Sequence, residues 1–550
     1  MLLLNNALIF DGSGSAPYSG AVLIREGRIL ATGKFEMPAE PHLDVDEIDL
    51  QGLALAPGFI DLHSHSDLQV LENRLEKSNQ GVTTEVVGNC GFSPYPCGSH
   101  ATLVAEQNEG ILHGHHAWPT AADYLAAVRK SSRLVHVESL IGHGALRTAV
   151  LGPEAATPNL RNLGALEAAL DEALSEGAIG FSTGLMYSPG SQAPFAELEA
   201  LCRVVARHNK LYTSHMRSYA WQLIESLDEQ IELARRTGCR LQISHLQAVG
   251  RANWSKQQTA LDRIEAAQAE GIDIGFDCYP YLAGSTVLTQ LLPQSALSNG
   301  IPGLMTQLAD PATRAALEHF LNTETAQAWD EIFISSVASE SNRPLVGQHI
   351  AAIAESRAVS SDKISPAATI LDLIAEEHGK VLMISFNQSE ANLRQLLQHP
   401  LSSIITDGFY VADRPHPRLA GAFPTFLGEF TRERNYLSLP EAIRKVTSQP
   451  AARLGLDRST NARGHLSPGA IADITIFDPE TIGSPATFAD PTQSPTGIHL
   501  IIKGQLLLPK SEQLLTKNGI LASGKPLAHL QTTGLTTDLT TGHAELHYTL

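Results

Sequence analysis

The chain is short of positive charge, of cysteine and of long apolar runs, and each shortage removes a class of function. Its 39 Lys and Arg stand against 58 Asp and Glu, giving a formal net charge of -19 and a pI near 5.6. That balance disfavours nucleic acid and anionic membrane surfaces, both of which are bound through basic patches. The five cysteines (Cys90, Cys97, Cys202, Cys239, Cys278) are odd in number and scattered. They imply reduced thiols in a cytoplasmic protein rather than a disulfide framework. No apolar run reaches the roughly 18 to 20 residues of a membrane-spanning helix. The first eleven residues lack a basic region, and Asn5, Asn6 and Asp11 interrupt them, so a strand is expected there and not a signal peptide.

What the chain does have is length and an ordinary core: 550 residues, 43% hydrophobic, enough for one large domain plus a smaller one. Residues 1–55 read as short strands, Leu2–Leu4, Ala7–Phe10, Ala21–Ile24 and Arg28–Ala31, with Asp11-Gly12 and Glu26-Gly27 as turns. Residues 461–510 contain two runs of the same kind, 469–478 and 498–505, so the two terminal segments are expected to join in one small β-sandwich. Between them, over 56–460, apolar strand cores alternate with Ala-, Leu- and Glu-rich helical stretches. This is the α/β signature of a parallel (β/α)8 TIM-like barrel. Eight strands are expected, at 59–65, 83–89, 134–143, 178–183, 211–215, 241–245, 274–279 and 403–407. A ninth run, Val381–Phe386, competes for the seventh place, and the long spacing before Asp407 implies an insertion around 286–378. The tail, 511–550, has no clear pattern and could be loosely ordered or wrap a neighbour in a homo-oligomer.

The chemistry concentrates at strand ends. In Pro57-Gly58-Phe59-Ile60-Asp61-Leu62-His63-Ser64-His65 two imidazoles are separated by one residue. Positions i and i+2 of a strand share a face, so both rings can reach one metal ion. Taken alone, such a pair is also an ordinary surface feature. Metal-competent residues recur, however, at the ends of five strands: His63 and His65, Cys90, His215, His245 and Asp407. A thiolate with two imidazoles makes a three-ligand zinc site with a fourth position open to water, the arrangement of catalytic zinc. Asp407, in Thr406-Asp407-Gly408, is then the acid/base candidate, although an Asp before Gly is also common in plain turns. His113, His115 and His116 lie in a polar loop and read as surface. His143, followed by Arg147, could shape the site or serve the structure.

These residues resemble a known family. Pro57–His65, Gly81-Val82-Thr83-Thr84 through Gly88-Asn89-Cys90-Gly91-Phe92-Ser93-Pro94, Gly180–Leu185, Ser214-His215-Met216-Arg217, Ile243-Ser244-His245 and Pro415-His416-Pro417-Arg418 are similar to D-aminoacylases. These are the N-acyl-D-amino acid deacylases of the amidohydrolase superfamily, and the similarity runs from the N-terminal strands to about residue 505. The fourth strand region, 178–187, contains no lysine, which disfavours a centre built on a carbamylated lysine. The resemblance implies that Cys90, His215 and His245 hold a firmly bound zinc, while His63, His65 and Asp407 line a weak second position. It further implies that Asp407 shuttles the proton, and that Arg418, Tyr187, Tyr279 and Ser285 contact the substrate carboxylate. Arg418 could grip that group with two parallel hydrogen bonds.

One position departs from the family. Two residues after His245, where a lysine usually helps neutralise the carboxylate, this chain has Gln247. Losing that cation weakens carboxylate binding by about 1 to 3 kcal/mol. Thr406 stands where serine is common and keeps the hydroxyl. The span 286–303 carries no Lys or Arg, which favours neutral or apolar substrate side chains. The leading expectation is therefore a zinc-dependent hydrolase of N-acyl-D-amino acids, acting on small molecules and on neither nucleic acid nor membrane. A D-peptide or cyclic-amide hydrolase on the same scaffold stays open because of Gln247. A non-catalytic assembly protein is the third reading, and retention of all six candidate residues counts against it.

Overall fold

A computed structural model describes residues 1–36, 45–72, 74–131, 134–156, 160–358 and 365–507, together with the short strands Leu515–Thr516 and Gly519–Ile520. Apart from that pair, the expectation for the tail lies outside the described residues.

Eight parallel strands form the barrel: β1 (Phe59–Asp61), β2 (Val82–Val87), β3 (His136–Gly142), β4 (Gly180–Gly184), β5 (Leu211–His215), β6 (Arg240–Ile243), β7 (Ile274–Cys278) and β8 (Ser402–Ile404). Each pairs with its sequence neighbour in order, as short right-handed βα crossovers require. Every residue of β2, Val-Thr-Thr-Glu-Val-Val, is buried. That is the mark of a strand covered on both faces. The surrounding helices turn one stripe inward: Phe195–Arg207 buries Leu198, Leu201, Cys202 and Val205, at the three- and four-residue spacing of an amphipathic helix. Leu223–Thr237 ends where Gly238 turns left-handed, at φ 71°, the usual glycine stop.

The ring closes only at its upper rim. β1 and β8 are the two ends of the hydrogen-bonded order. They meet beyond their ladders, where Asp407 N–H donates to the His63 carbonyl at 2.9 Å and His65 N–H donates to the Gly408 carbonyl at 3.0 Å. The barrel seam thus runs through candidate site residues.

Between β7 and β8 lies a separate three-stranded antiparallel sheet, Ala283–Val287 beside Leu382–Phe386 beside Ile332–Ser336. It packs with four helices around its own core, including Leu288, Leu321, Ile334, Ile370 and Met383. The run that competes for the seventh barrel place is the middle strand of this sheet. Both its partners are antiparallel to it, and periodicity alone cannot tell such a strand from a parallel one.

The terminal segments share one sheet. Ile474–Phe477 pairs antiparallel with Ala54–Pro57, and the hydrogen-bonded order continues through Leu2–Ile9, Tyr18–Arg25 and Arg28–Gly33 on one side and Ile498–Ile502 and Gln505–Leu507 on the other. Arg28 bridges to Ile471, so the sheet folds back on itself around Leu4, Ile9, Val22, Ile24, Leu55, Ile476 and Ile501. The two strands expected at 2–4 and 7–10 are a single strand, Leu2–Ile9, whose register shifts between Leu4 and Ala7. Asn6 sits at φ 51° there, so the polar Asn pair marks a bulge and not a turn. Among the described residues no helix is long and apolar enough to cross a membrane.

Two glycines separate backbone strain from steric exclusion. At Gly88 (φ +81°) a Cβ would lie 2.1 Å from the Leu140 carbonyl oxygen, whereas at Gly455 (φ +71°) it would meet nothing within 4 Å. Gly455→Ala should cost about 1 kcal/mol, the left-handed penalty alone. Gly88→Ala should cost at least about 3 kcal/mol, since a rigid backbone clash adds to it; denaturant melts of both variants measure the difference.

Candidate active site

The upper ends of β1, β2, β5, β6 and β8 bring His63, His65, Cys90, His215, His245 and Asp407 together, all of them buried. Three groups have donor atoms within 4.8 Å of one another and could hold a metal ion: Cys90 with His215 and His245, Cys90 with His63 and His65, and His63 with His245 and Asp407. Cys90 Sγ lies 3.3 Å from His63 Nε2 and 3.5 Å from His245 Nε2. Asp407 Oδ1 lies 3.4 Å from His63 Nε2 and 3.3 Å from His65 Nε2. Neither ring nitrogen of buried His215 has a hydrogen-bond partner among the described residues. An imidazole left this way costs free energy, and a cation at the shared focus would satisfy it. The soft sulfur and borderline nitrogens fit zinc. His113, His115 and His116 belong to none of these groups, and His115 and His116 are exposed. His143 is buried away from the cavity, 2.8 Å from Glu197, which also pairs with Arg147.

Three of the six residues have left-handed backbones: Cys90 at φ 52°, His245 at φ 34° and Asp407 at φ 47°. Non-glycine residues adopt that region only when their surroundings compel it. At or beside each, a polar side chain from another strand binds the backbone. Beside Cys90, Gly91 N–H donates to Ser182 Oγ at 3.0 Å. His245 N–H donates to Asp277 Oδ1 at 2.6 Å. Beside Asp407, Thr406 N–H donates to Asp61 Oδ1 at 3.0 Å. The direction of each side chain is therefore set by its neighbours and not by local preference.

Asp277 is absent from the sequence-based site. Its Oδ1 also lies 3.5 Å from His63 Nδ1 and its Oδ2 accepts from Gln242 at 3.0 Å. A carboxylate behind an imidazole fixes its tautomer and orientation. The signal for it was present but faint: a single acid within the buried strand Ile-Gly-Phe-Asp-Cys.

The electrostatics suit metal and proton chemistry. Burial lowers the pKa of His65 and of His245 to about 4 and takes His215 well below its ordinary value. All three are neutral near pH 7, as ligands must be. Burial opposes charge on His63 too, but Cys90 and Asp407 outweigh it and hold the ring well above its usual value. Burial would raise Asp407; Arg418, with Nη1 2.9 Å from Asp407 Oδ2, and then His63 reverse this and hold the carboxyl well below the usual range.

A cavity of about 550 Å³ opens from this cluster toward the inserted sheet. Arg418, Tyr187, Tyr279, Ser285 and Gln247, all expected near a substrate carboxylate, line it. The Arg418 guanidinium lies 4.6 Å from the Tyr279 ring centre and donates to the Ser285 carbonyl at 3.3 Å. Tyr279 O–H donates to Gln247 Oε1 at 3.2 Å. Tyr187 meets Thr286 at 3.1 Å and packs its ring 4.7 Å from that of His215.

Replacing Arg418 by Met removes the largest charge that opposes burial at Asp407. The carboxyl should then titrate at higher pH, because desolvation favours the protonated form. Ionised Asp407 contributes stability above its unfolded-state pKa and loses it as pH falls through the folded value, so that loss should also begin at higher pH. An upward move of the acid limb of the pH–stability profile checks the sign.

Comparison with known proteins agrees with this geometry. Residues 46–507 match the model of the Amidohydrolase family. The chain is 34% identical to an N-acyl-D-glutamate deacylase of Alcaligenes xylosoxydans xylosoxydans, over 93% of this chain and 94% of that one. Among solved structures it is similar to an N-acyl-D-glutamate deacylase from Bordetella bronchiseptica complexed with zinc and a phosphonate inhibitor that mimics the tetrahedral intermediate. That match has TM-score 0.76 and 31% identity and covers 92% of this chain and 96% of that one. A D-aminoacylase with a binuclear metal center matches with TM-score 0.77 and 30% identity, covering 93% and 97%. With its parallel barrel, β-sandwich and converging donor cluster, the chain belongs to the amidohydrolase family, in the D-aminoacylase branch of hydrolases that cut carbon–nitrogen bonds other than peptide bonds.

Proposed function

We propose that the protein is a zinc-dependent deacylase that hydrolyses the N-acyl bond of D-amino acids with neutral or apolar side chains, giving a carboxylate and a free D-amino acid. One observation carries this reading: a carboxylate kept ionised by Arg418 faces a thiol and imidazole cluster able to hold a metal, inside one cavity. Cys90, His215 and His245 would hold the tight zinc, and His63, His65 and Asp407 a weaker second position. Zinc, when bound, supplies Lewis acidity toward the scissile carbonyl and lowers the pKa of an attacking water to about 7. Asp407 accepts the water proton at its carboxylate and returns it to the departing nitrogen, which cannot leave as an amide anion.

Arg418, with Tyr279, Tyr187 and Ser285 around it, would receive the substrate carboxylate. Among the described residues that line the cavity, Arg217 and Arg418 are the cations, and Arg217 is engaged by Glu229 at 2.9 Å and by the carbonyls of Ser191 and Ala193. No cation is left over for an acidic side chain, which separates this cavity from one suited to glutamate. The D preference rests on the named relatives. Five buried free thiols suit a cytoplasmic location. Gln247 favours a second reading on the same scaffold, in which a carboxamide or D-peptide replaces the free carboxylate.

A panel of N-acetyl-D-amino acids, their L enantiomers, their carboxamides and D-dipeptides decides among these. Turnover confined to D carboxylates is expected, with about one zinc per chain, and turnover confined to L substrates overturns the reading. Asp407→Asn should retain zinc and lose turnover by at least about a hundredfold; undiminished activity would rule out the proton role. Gln247→Lys should lower KM for carboxylate substrates by about tenfold, the worth of one charged hydrogen bond, and leave KM for carboxamides unchanged.

A further inference from the structure

We propose that Lys77, which does not line the substrate cavity, is a positioning residue that fixes Asp407 through Thr406 at the barrel seam. The functional consequence rests on the acid/base role assigned to Asp407 above.

No extended ladder joins β1 to β8, and a side-chain staple reinforces the two backbone bonds that close the barrel at its rim. Thr406 N–H donates to Asp61 Oδ1 at 3.0 Å, and Thr406 O–H donates to Asp61 Oδ2 at 2.5 Å. Lys77 Nζ donates to the same Asp61 oxygen at 2.6 Å and to Thr406 Oγ1 at 2.5 Å. Gly408 N–H donates to Thr406 Oγ1 at 3.1 Å. The Thr406 hydroxyl therefore uses its one proton and both lone pairs. It is tied on both sides of Asp407, to β1 before it and to Gly408 after it. Asp61, Lys77 and Thr406 are 0%, 3% and 0% exposed.

The lysine is itself anchored. Val82 N–H donates to the Lys77 carbonyl at 3.2 Å, and Gly81 N–H donates to the Ser78 carbonyl at 3.0 Å, so the turn that enters β2 holds the cation in place. A buried ion pair adds little net stability, because desolvation offsets its attraction. What this one supplies is geometry. It holds two strand ends at a fixed separation and keeps Asp407 at φ 47°, with its carboxylate 3.3 to 3.4 Å from the His65 and His63 rings. A displacement of about 1 Å at such a group costs about a hundredfold in rate.

The test uses the full-length zinc-loaded enzyme, N-acetyl-D-leucine as substrate, and the variants Lys77→Met, Thr406→Val and Thr406→Ser. Thr406→Val is isosteric and keeps the fold accessible if Lys77→Met does not fold. Lys77→Met and Thr406→Val should lower kcat by about a hundredfold, with KM within about twofold and zinc content unchanged, while Thr406→Ser, which keeps the hydroxyl, stays within about threefold of the parent. Crystal structures should show Asp407 displaced from His63 in Thr406→Val and in place in Thr406→Ser. The proposal falls if folded Lys77→Met or Thr406→Val keeps its kcat, if Thr406→Ser is as slow as Thr406→Val, if activity drops only in proportion to folded protein, or if Asp407 has not moved. Should the parent turn over no N-acyl-D-amino acid, the substrate reading fails, and the Asp407 position in the Thr406→Val crystal still decides the present proposal.

Discussion

The contact between the ends of β1 and β8 is the constraint on which the site depends. A parallel barrel must close on itself, and here the closing bonds are Asp407 N–H to the His63 carbonyl and His65 N–H to the Gly408 carbonyl. The same backbone segments that complete the barrel carry two imidazoles and a carboxylate into its mouth. Fold closure and site assembly are one event. The left-handed turns at Cys90, His245 and Asp407 bend each chain end inward just past its strand, which a continued extended backbone would not do. Their cost is met by buried bonds from Ser182, Asp277 and Asp61.

Burial then gives these groups their chemical character. In a region of low dielectric three of the four imidazoles placed to take a metal, His65, His215 and His245, are neutral, and a carboxylate survives as an anion because Arg418 and then His63 stand against it. The same guanidinium lies over Tyr279, so one cation sets the ionisation of Asp407 and also faces the space where a substrate carboxylate would sit. In the proposed mechanism a charge shared in this way would couple binding to proton transfer, since a carboxylate arriving at Arg418 would compete with Asp407 for it.

Much of this was legible in the residue order. All eight barrel strands fall where apolar runs end in polar residues, because a strand buried on both faces reads as a continuous apolar stretch. The six metal-competent residues stood at the ends of those runs. Harder to read were features defined by pairing. Val381–Phe386 reads as a barrel strand until its antiparallel partners are known, and Asn5-Asn6 reads as a break until the register shift shows a bulge. Asp277, Asp61 and Lys77 carried little signal, since a single charged residue in an apolar strand or before a turn does not announce what it will meet.

By itself the sequence determined the alternation of strand and helix, the identity of the donor atoms and the absence of lysine from the fourth strand, because these depend only on residue type and local period. The tertiary structure decided which donors share a focus, which of them are charged, and which buried partners hold Cys90, His245 and Asp407 in left-handed turns. Those outcomes depend on distances between residues hundreds of positions apart, such as Asp61 and Thr406. Such distances exist only once the barrel has closed.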